Sequence, residues 1–241
     1  MFGNETKGTM GEQKRLVLIR HGDDPPDDRV AAFASLQGWE LDFRRPFRGD
    51  DVGCLDASVV GAVVYGGPFV VDQTEDHRFL LDEHRFIEAC LDQEVPLLGV
   101  CQGAQSLAHV LGAKVGPPES GLSEFGYYEV HPTEQGRDLM PEPLFFAQSH
   151  FHGFDIPAGG VRLAHSEAFP NQAFRYGKCA YGFQFHPEVT IEGFRRWQDA
   201  PWARYHLPGA QTREQQTELM YRHDAGQARW FYGFLGGLFP A

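Results

Sequence analysis

Short apolar segments alternate with longer amphipathic segments through the first half of the chain, and this alternation restricts the possible folds more than any other feature. The apolar runs are of strand length, whereas the stretch 76–91 carries Phe79, Phe86 and Ile87 at helical spacing. Strands that alternate with helices pair in parallel, and the helices then cover both faces of the sheet. The predicted strands are 16–19, 39–43, 59–65 and 95–100, and the predicted helices are 29–36, 76–91 and 102–111.

The pattern changes after Gly116, where the apolar runs alternate with polar residues and are separated by Pro and Gly. Such runs are typical of antiparallel or mixed pairing. We therefore expect a three-layer α/β fold, with a mostly parallel central sheet flanked by helices (flavodoxin-like) and a smaller antiparallel or mixed portion. The strands expected in this half are 127–131, 145–149, 162–166 and 181–186.

The last stretch, 190–239, contains two predicted helices that are divided by the proline-bounded segment 201–208. Its end is rich in aromatic residues, and we expect them to pack on the sheet, with a partner-binding surface as the alternative. We expect a flexible leader at 1–14 and a single domain at 15–241. The aromatic residues are Trp230, Phe231, Tyr232, Phe234 and Phe239.

The charge balance argues against several classes of partner. The 241 residues include 21 Lys and Arg against 33 Asp and Glu, and the resulting net charge of −12 is spread along the chain. This charge disfavours nucleic acid and an anionic membrane. The longest apolar run without a charge, 58–71, is too short to cross a bilayer, and no secretion signal is recognisable, so we expect a cytoplasmic location. There the four cysteines, which lack metal-ligand spacing, are expected to be free thiols.

One cysteine stands between a predicted buried strand and a predicted helix, in the segment Gly99-Val100-Cys101-Gln102-Gly103. A nucleophile on a tight strand-to-helix turn has a strained backbone, and a glycine two positions away on each side leaves room for it. The first turn of a helix also favours a thiolate over a thiol. Cys101 is therefore the candidate nucleophile, and a buried, inert cysteine is the alternative.

A cysteine nucleophile needs a base, and the base needs a group that orients its ring. The segment Phe185-His186-Pro187-Glu188 offers both, because residues two positions apart in an extended segment project to the same side. We predict that His186 is the base and that Glu188 orients it. An ordinary surface pair of histidine and glutamate is the alternative.

Acyl transfer also needs hydrogen-bond donors for the oxygen that becomes negative. The segment Tyr65-Gly66-Gly67-Pro68 follows the third predicted strand, and loops at the carboxyl ends of parallel strands gather around one site. We predict that the backbone N–H groups of Gly67 and Gln102 form this oxyanion hole. A simple turn is the alternative for the glycine segment.

Taken together, three segments resemble the class I glutamine amidotransferases, of the stand-alone kind similar to the glutaminase half of GMP synthetase. The resemblance runs from about residue 15 to residue 197. It implies a Cys101, His186, Glu188 triad that hydrolyses the side-chain amide of glutamine through a γ-glutamyl thioester, and it implies that Gln105 helps to hold the amino-acid end of the substrate. The three segments are Gly66-Gly67-Pro68, Pro96-Leu97-Leu98-Gly99-Val100-Cys101-Gln102-Gly103-Ala104-Gln105 and Gln184-Phe185-His186-Pro187-Glu188-Val189.

Two further segments, 150–157 and 170–174, also resemble the stand-alone subgroup. Within the first, Phe151 and His152 stand where a small residue and an acidic residue are expected. Because of this difference, the family's role for the loop 150–154 in substrate choice does not carry over directly to this chain.

Glutaminase domains normally supply ammonia to a synthetase, so the resemblance implies a synthetase partner. A stand-alone hydrolase of γ-glutamyl amides or peptides would use the same triad, and a non-catalytic binding module is a third possibility. We expect no cofactor and no metal, because backbone dipoles and an imidazolium cover the developing charge. The histidines at 131, 150, 152 and 165 also lack a compact ligand spacing.

The segment 18–22 contains Arg20-His21-Gly22 and resembles the strand-end signature of histidine phosphatases, in which the histidine accepts the phosphoryl group. A phosphatase needs several arginines around that histidine. Aspartates at 23, 24, 27 and 28 follow His21 instead and would repel a phosphate. The phosphatase is therefore the weaker alternative.

Overall fold

The structure is a computed structural model that describes residues 13–239. Of the predicted leader 1–14, all but the last two residues lie outside this range. The described strands are β1 (Arg15–Ile19), β2 (Glu40–Arg44), β3 (Val59–Val64), β4 (Leu97–Val100), β5 (Val115–Gly116), β6 (Glu124–Pro132), β7 (Leu144–His150), β8 (Gly153–Phe154), β9 (Val161–His165), β10 (Ala173–Tyr176) and β11 (Ala180–Phe183). The described α-helices are α1 (Arg29–Leu36), α2 (Phe79–Asp92), α3 (Gln102–Val110), α4 (Ile191–Asp199) and α5 (Arg213–Leu238).

Nine of these strands form one sheet in the order β2-β1-β3-β4-β11-β10-β9-β6-β7. The pairs from β2 to β11 are parallel, and the pairs from β11 to β7 are antiparallel. The expected α/β fold class is therefore confirmed, and the antiparallel portion continues the parallel sheet. Three strands were not predicted: the two-residue strands β5 and β8, and β10, whose short run contains Arg175. One predicted end was wrong, because β11 ends at Phe183, three residues before the predicted end.

Helices cover both faces of the parallel portion. Side chains alternate along a strand, so Leu16 and Leu18 of β1 point to one face while Val17 and Ile19 point to the other. The first face is covered by α1 and α5, and the second by α2 and α3. Both faces of these strands are buried, which explains their nearly continuous apolar sequence.

Four of the five aromatic residues near the end of the chain, all but Tyr232, pack on the sheet as predicted. Phe231 and Phe239 are almost completely buried, while Tyr232 is exposed. The ring of Phe239 lies so close to Gly61 of β3 that a Cβ atom there would overlap it. Although α5 has 26 residues, neither it nor another helix of the described chain is long and apolar enough to cross a membrane.

The parallel strands bring the chemistry-bearing segments to one edge of the sheet. Neighbouring strands β1, β3, β4 and β11 run in the same direction, so their carboxyl ends meet there. The residues that follow them are His21, the glycine pair Gly66 and Gly67, Cys101, and His186. Segments far apart in sequence thus converge on one site.

Close packing of α3 against β3 depends on Gly103. A Cβ atom at Gly103 would overlap the carbonyl oxygen of Val64, which is main chain and cannot rotate away. We expect Gly103→Ala to lower the free energy of unfolding by about 1–3 kcal/mol, as overpacking does. Gly226→Ala in α5 is the matched control, because its Cβ would meet nothing within 4 Å and the helix should gain about 0.5–1 kcal/mol. Urea denaturation measures both changes, and equal effects would contradict the packing argument.

Candidate active site

Cys101 occupies the turn between β4 and α3 with φ 51° and ψ −108°, a conformation that is rare for a residue with a Cβ atom. Its backbone N–H donates a 2.7 Å hydrogen bond to the carbonyl oxygen of Phe183 in β11. A Cβ atom at Gly99 would overlap the main chain of Gly103, so both glycines permit the turn. Strain of this kind persists only when the surroundings impose it, and it is concentrated at functional sites.

His186 and Glu188 lie beside Cys101, although the chain has left β11 before it reaches them. The Nδ1 atom of His186 is 2.8 Å from Oε1 of Glu188, so its Nε2 atom is left for another partner. The Cys101 side chain is close enough to the imidazole to raise its pKa, and the Cys101 Sγ atom lies 3.9 Å from the carbonyl oxygen of Ser149. The structure therefore brings the three predicted triad residues together in the predicted order, cysteine to histidine to glutamate.

The charges around His186 favour its protonated form. Burial of the ring acts to lower its pKa, but the Glu188 carboxylate and the Cys101 thiolate outweigh that effect and raise the pKa of His186 above its ordinary value. A histidine that is held in its protonated form next to a cysteine side chain is suited to activating that cysteine as a nucleophile. The ring of Trp197 packs edge-on against the imidazole, with centroids 4.8 Å apart, and limits its movement.

The main chain around Glu188 is anchored by Arg29 at the start of α1. The backbone N–H of Arg29 donates to the carbonyl oxygen of Glu188 at 2.8 Å. Its buried guanidinium donates to the carbonyl oxygens of Pro187 and Val189 and pairs with Asp224 of α5. Two helices that are distant in sequence thus hold the turn that carries the carboxylate.

The glycine segment after β3 lies directly against the triad. A Cβ atom on Gly66 would lie 2.7 Å from Cε1 of His186 and 3.3 Å from the Cβ atom of Cys101. The side-chain oxygen of Gln102 accepts a 2.9 Å hydrogen bond from the backbone N–H of Phe69 and holds the segment in place. Within the described residues, neither the N–H of Gly67 nor that of Gln102 has an acceptor. Neither predicted oxyanion donor is therefore committed to another group of the described chain.

Gly66, Gly67 and the three triad candidates line a cleft of about 610 Å³. Gln105 is also part of its lining. The volume is in the range of ordinary small-molecule sites.

Comparison with known proteins identifies the family of this chain. The family description "Glutamine amidotransferase class-I" matches residues 50–196, which is more than half of the chain and contains every predicted site residue. The chain belongs to this family. The recognition made from the three sequence segments is thus confirmed.

Individual relatives of this amidotransferase chain differ in length. The glutamine amidotransferase-like protein YfeJ of Salmonella typhimurium is 29% identical over 74% of this chain and 77% of its own length. The glutamine-hydrolysing GMP synthase of Vibrio campbellii is 37% identical over 67% of this chain but only 29% of its own length. The chain therefore spans less than a third of that longer enzyme.

A solved glutamine amidotransferase from Thermotoga maritima has a TM-score of 0.83 and 27% identity, with 95% of this chain and 99% of that chain covered. One from Methylobacillus flagellatus, at 22% identity, has a TM-score of 0.82 over 94% and 95% of the two chains. The second likeness concerns the fold alone.

Gln105 lies one helical turn beyond Cys101 and is oriented by two acceptors. Its Nε2 atom donates to Oε1 of Gln184 at 3.1 Å and to the carbonyl oxygen of His152 at 3.3 Å. Phe151 and His152, the two residues that differ from the family pattern, therefore belong to a loop that contacts Gln105, the residue predicted to bind the substrate. Burial lowers the pKa of His152, and the guanidinium of Arg204 lies 4.2 Å from the centre of the Phe151 ring.

A buried polar network that contributes Glu124 and His150 to the cleft lining was not predicted. The carboxylate of Glu124 accepts hydrogen bonds from Ser166 and Gln172, both at 2.6 Å, and lies 2.9 Å from Nε2 of His150. Asn171 donates to the carbonyl oxygen of Phe154 at 2.9 Å. The two segments that resemble the stand-alone subgroup, 150–157 and 170–174, are therefore packed against each other. No local pattern marks Glu124, because its partners are 26 to 48 residues away.

His21 is not placed as a phosphatase nucleophile. Its side chain is fully buried, and both ring nitrogens face oxygen atoms of Tyr65, Gly66 and Glu83. Neither nitrogen is free to attack phosphorus. His131 and His165 are two of the four histidines that the sequence analysis considered as metal ligands. Their rings stack on each other, with ring centroids 5.5 Å apart.

Proposed function

We propose that this chain hydrolyses the side-chain amide of glutamine through a thioester on Cys101 and releases ammonia for a synthetase partner. The observation that carries the proposal is the placement of Cys101, on a strained turn, beside a histidine that is itself paired with Glu188 at 2.8 Å. An imidazole oriented by a carboxylate and adjacent to a thiol is the arrangement of a cysteine-based acyl-transfer enzyme.

In the acylation step, the Cys101 thiolate attacks the side-chain carbonyl carbon of glutamine, and the carbonyl oxygen becomes negative. The backbone N–H groups of Gly67 and Gln102 donate to that oxygen. The His186 imidazolium then gives its proton to the amide nitrogen, the carbon–nitrogen bond breaks, and ammonia leaves. A γ-glutamyl thioester on Cys101 remains.

In the deacylation step, His186 takes a proton from water, and the resulting hydroxide attacks the thioester carbon. The carbon–sulfur bond breaks, glutamate forms, and the proton on His186 restores the ion pair with the thiolate. Glu188 keeps the ring in one orientation through both steps, and Gln105 holds the amino-acid end of the substrate. These roles use each predicted site residue once.

The similarity to glutamine-hydrolysing GMP synthases supports a separate synthetase as the acceptor of ammonia. Only 29% of the Vibrio campbellii enzyme is matched by this chain. The other parts of that enzyme would correspond to a separate protein here. A synthetase subunit that covers the cleft would keep the ammonia from solvent.

The test is ammonia release from glutamine by the purified chain, measured beside a panel of γ-glutamyl amides and peptides. Turnover of glutamine supports the proposal. Strong turnover of the panel with none of glutamine would replace it by the alternative, a stand-alone γ-glutamyl hydrolase. One observation favours that alternative: a cleft of about 610 Å³ suits a drug-sized ligand, whereas glutamine is much smaller.

A non-catalytic binding module is distinguished by covalent labelling. A glutamine-like electrophile such as a chloroketone analogue should modify Cys101 stoichiometrically, as shown by peptide mass spectrometry. Cys90 is a matched internal control, because burial raises the pKa of its thiol to about 12 and keeps it unreactive. Labelling of neither cysteine would favour the silent module.

A further inference from the structure

A buried histidine and glutamate lie beneath the glycine segment, and the mechanism above leaves both unused. His21 follows β1, and Glu83 belongs to α2. Both side chains are fully buried. Burial of a carboxylate and an imidazole is costly, and apolar residues of similar size would stabilise a core at least as well. A specific task at this position would account for the pair.

The contacts of His21 determine where its hydrogens are. Its Nδ1 atom lies 3.1 Å from the carbonyl oxygen of Tyr65 and 3.3 Å from that of Gly66. A carbonyl oxygen can only accept, so Nδ1 carries a hydrogen and donates it. Its Nε2 atom lies 3.0 and 3.1 Å from the two carboxylate oxygens of Glu83. Glu83 therefore holds the ring with Nδ1 toward the glycine segment.

The acceptor at Gly66 belongs to the peptide group that also contains the predicted oxyanion donor. In a trans peptide the C=O of one residue and the N–H of the next point in opposite directions. The C=O of Gly66 points to His21, so the N–H of Gly67 points away from it. Cys101 and His186 border the same segment, because an ideal Cβ atom on Gly66 would lie 2.7 Å from Cε1 of His186 and 3.3 Å from the Cβ atom of Cys101.

This peptide group needs an external restraint. Two adjacent glycines lack the Cβ atoms that limit backbone rotation, so the plane between them can turn at little cost. A Cβ atom on Gly67 would overlap His21, so the imidazole lies directly beneath the peptide. A hydrogen bond from a rigid, buried ring supplies the restraint that the glycines do not.

We propose that His21, oriented by Glu83, is a positioning residue that fixes the Gly66–Gly67 peptide so that the N–H of Gly67 is directed at the developing oxyanion. The proposal rests on the function proposed above. The Gly67 donor matters most when the carbonyl oxygen becomes negative, so its misorientation reduces kcat and leaves KM nearly unchanged.

The test compares His21→Leu, which removes the donor, with His21→Asn, whose side-chain amide can donate from the position of Nδ1. Both variants remove the imidazole that contacts Glu83, so the resulting loss of stability is common to them. They differ in whether the side chain at position 21 can donate a hydrogen bond to the carbonyl oxygen of Gly66. With the preferred γ-glutamyl substrate, we expect His21→Leu to lower kcat by about 10²-fold, the usual effect of losing one oxyanion donor. His21→Asn should recover about tenfold of that loss, with KM within about threefold of the wild type in both.

Alkylation of Cys101 by iodoacetamide is the control reaction, because displacement of iodide forms no oxyanion. Its rate in His21→Leu should stay within about twofold of the wild type. A parallel fall in alkylation, or equal kcat values for the Leu and Asn variants, would overturn the proposal. If His21→Leu does not fold, Glu83→Gln takes its place: a kcat about tenfold lower at unchanged KM supports orientation by Glu83, and an unchanged kcat overturns it.

Crystal structures of the same variants separate this proposal from the proposed function. The Gly66–Gly67 peptide should be rotated or present in two orientations in His21→Leu and should keep its orientation in His21→Asn. An unchanged peptide in His21→Leu overturns the positioning role whatever the activity. A wild-type protein that turns over no γ-glutamyl compound would defeat the function alone, because the rotation would still be observed.

Discussion

Replacement of Cys101 by alanine is expected to lower the rate of ammonia release from glutamine by about 10⁴-fold or more. The sulfur forms the covalent bond to the substrate, and neither water nor a neighbouring side chain can take its position on the strained turn. The oxyanion donors and the binding residues remain, so the variant should still bind glutamine. A coupled assay for ammonia measures the rate, and calorimetric titration measures binding.

Cys54→Ala is the matched control for this prediction, because Cys54 is an exposed free cysteine. It should retain the wild-type rate. The thermal midpoint of Cys101→Ala should remain close to that of the wild type, since the change removes one sulfur atom and keeps the Cβ atom. A Cys101→Ala protein that is folded and releases ammonia at a rate comparable to the wild type would refute the assignment of the nucleophile.

Replacement of Glu188 by glutamine is expected to lower kcat by about 10³–10⁴-fold and to change its pH dependence. The carboxylate is one of the charges that raise the pKa of His186, so its neutralisation lowers that pKa. The imidazolium is lost as pH rises through the pKa of His186. The alkaline limb of the activity profile should therefore move to lower pH in Glu188→Gln.

The pH profile of kcat/KM and the pH profile of Cys101 alkylation together check this shift. Glu192→Gln is the matched control, because Glu192 is an exposed glutamate in the first turn of α4 and its profile should coincide with that of the wild type. Protonation of His186 also stabilises the folded state, because its pKa is higher there than in the unfolded chain. This contribution to the free energy of unfolding is fully present below the pKa of an unfolded histidine and is lost as pH rises through the raised pKa of the folded state. A Glu188→Gln profile that coincides with the wild type would show that Glu188 does not set the charge of His186.

The catalytic candidates could be predicted from sequence because each lies in a short segment whose local geometry has a chemical reason. Gly99, Cys101 and Gly103 mark a strained turn between a buried strand and a helix, and the structure has φ 51° at the cysteine. His186 and Glu188 are two residues apart, so their 2.8 Å contact depends on few intervening bonds. Parallel pairing then accounts for their meeting at one edge of the sheet.

Other features depend on contacts between residues that are far apart in sequence, and no local pattern could indicate them. His21 belongs to a segment that resembles a phosphatase signature, but its ring contacts Glu83, which lies 62 residues later in the chain. Glu124 collects partners from three separate strands and loops, and Arg29 reaches Asp224 across 195 residues. The strand β10, with Arg175 in a run of four residues, is stabilised by its two neighbours in the sheet and not by its own apolar pattern.

The amino-acid sequence thus sufficed for the α/β class and for the identity of the triad candidates, because strand and helix periodicity and turn chemistry act over a few residues. Only the tertiary structure decided which groups support the site, namely the His21 imidazole next to the glycine peptide and the Arg29 guanidinium that holds the main chain around Glu188. Those interactions arise when distant segments exclude water from between them, and burial of that kind depends on the whole chain.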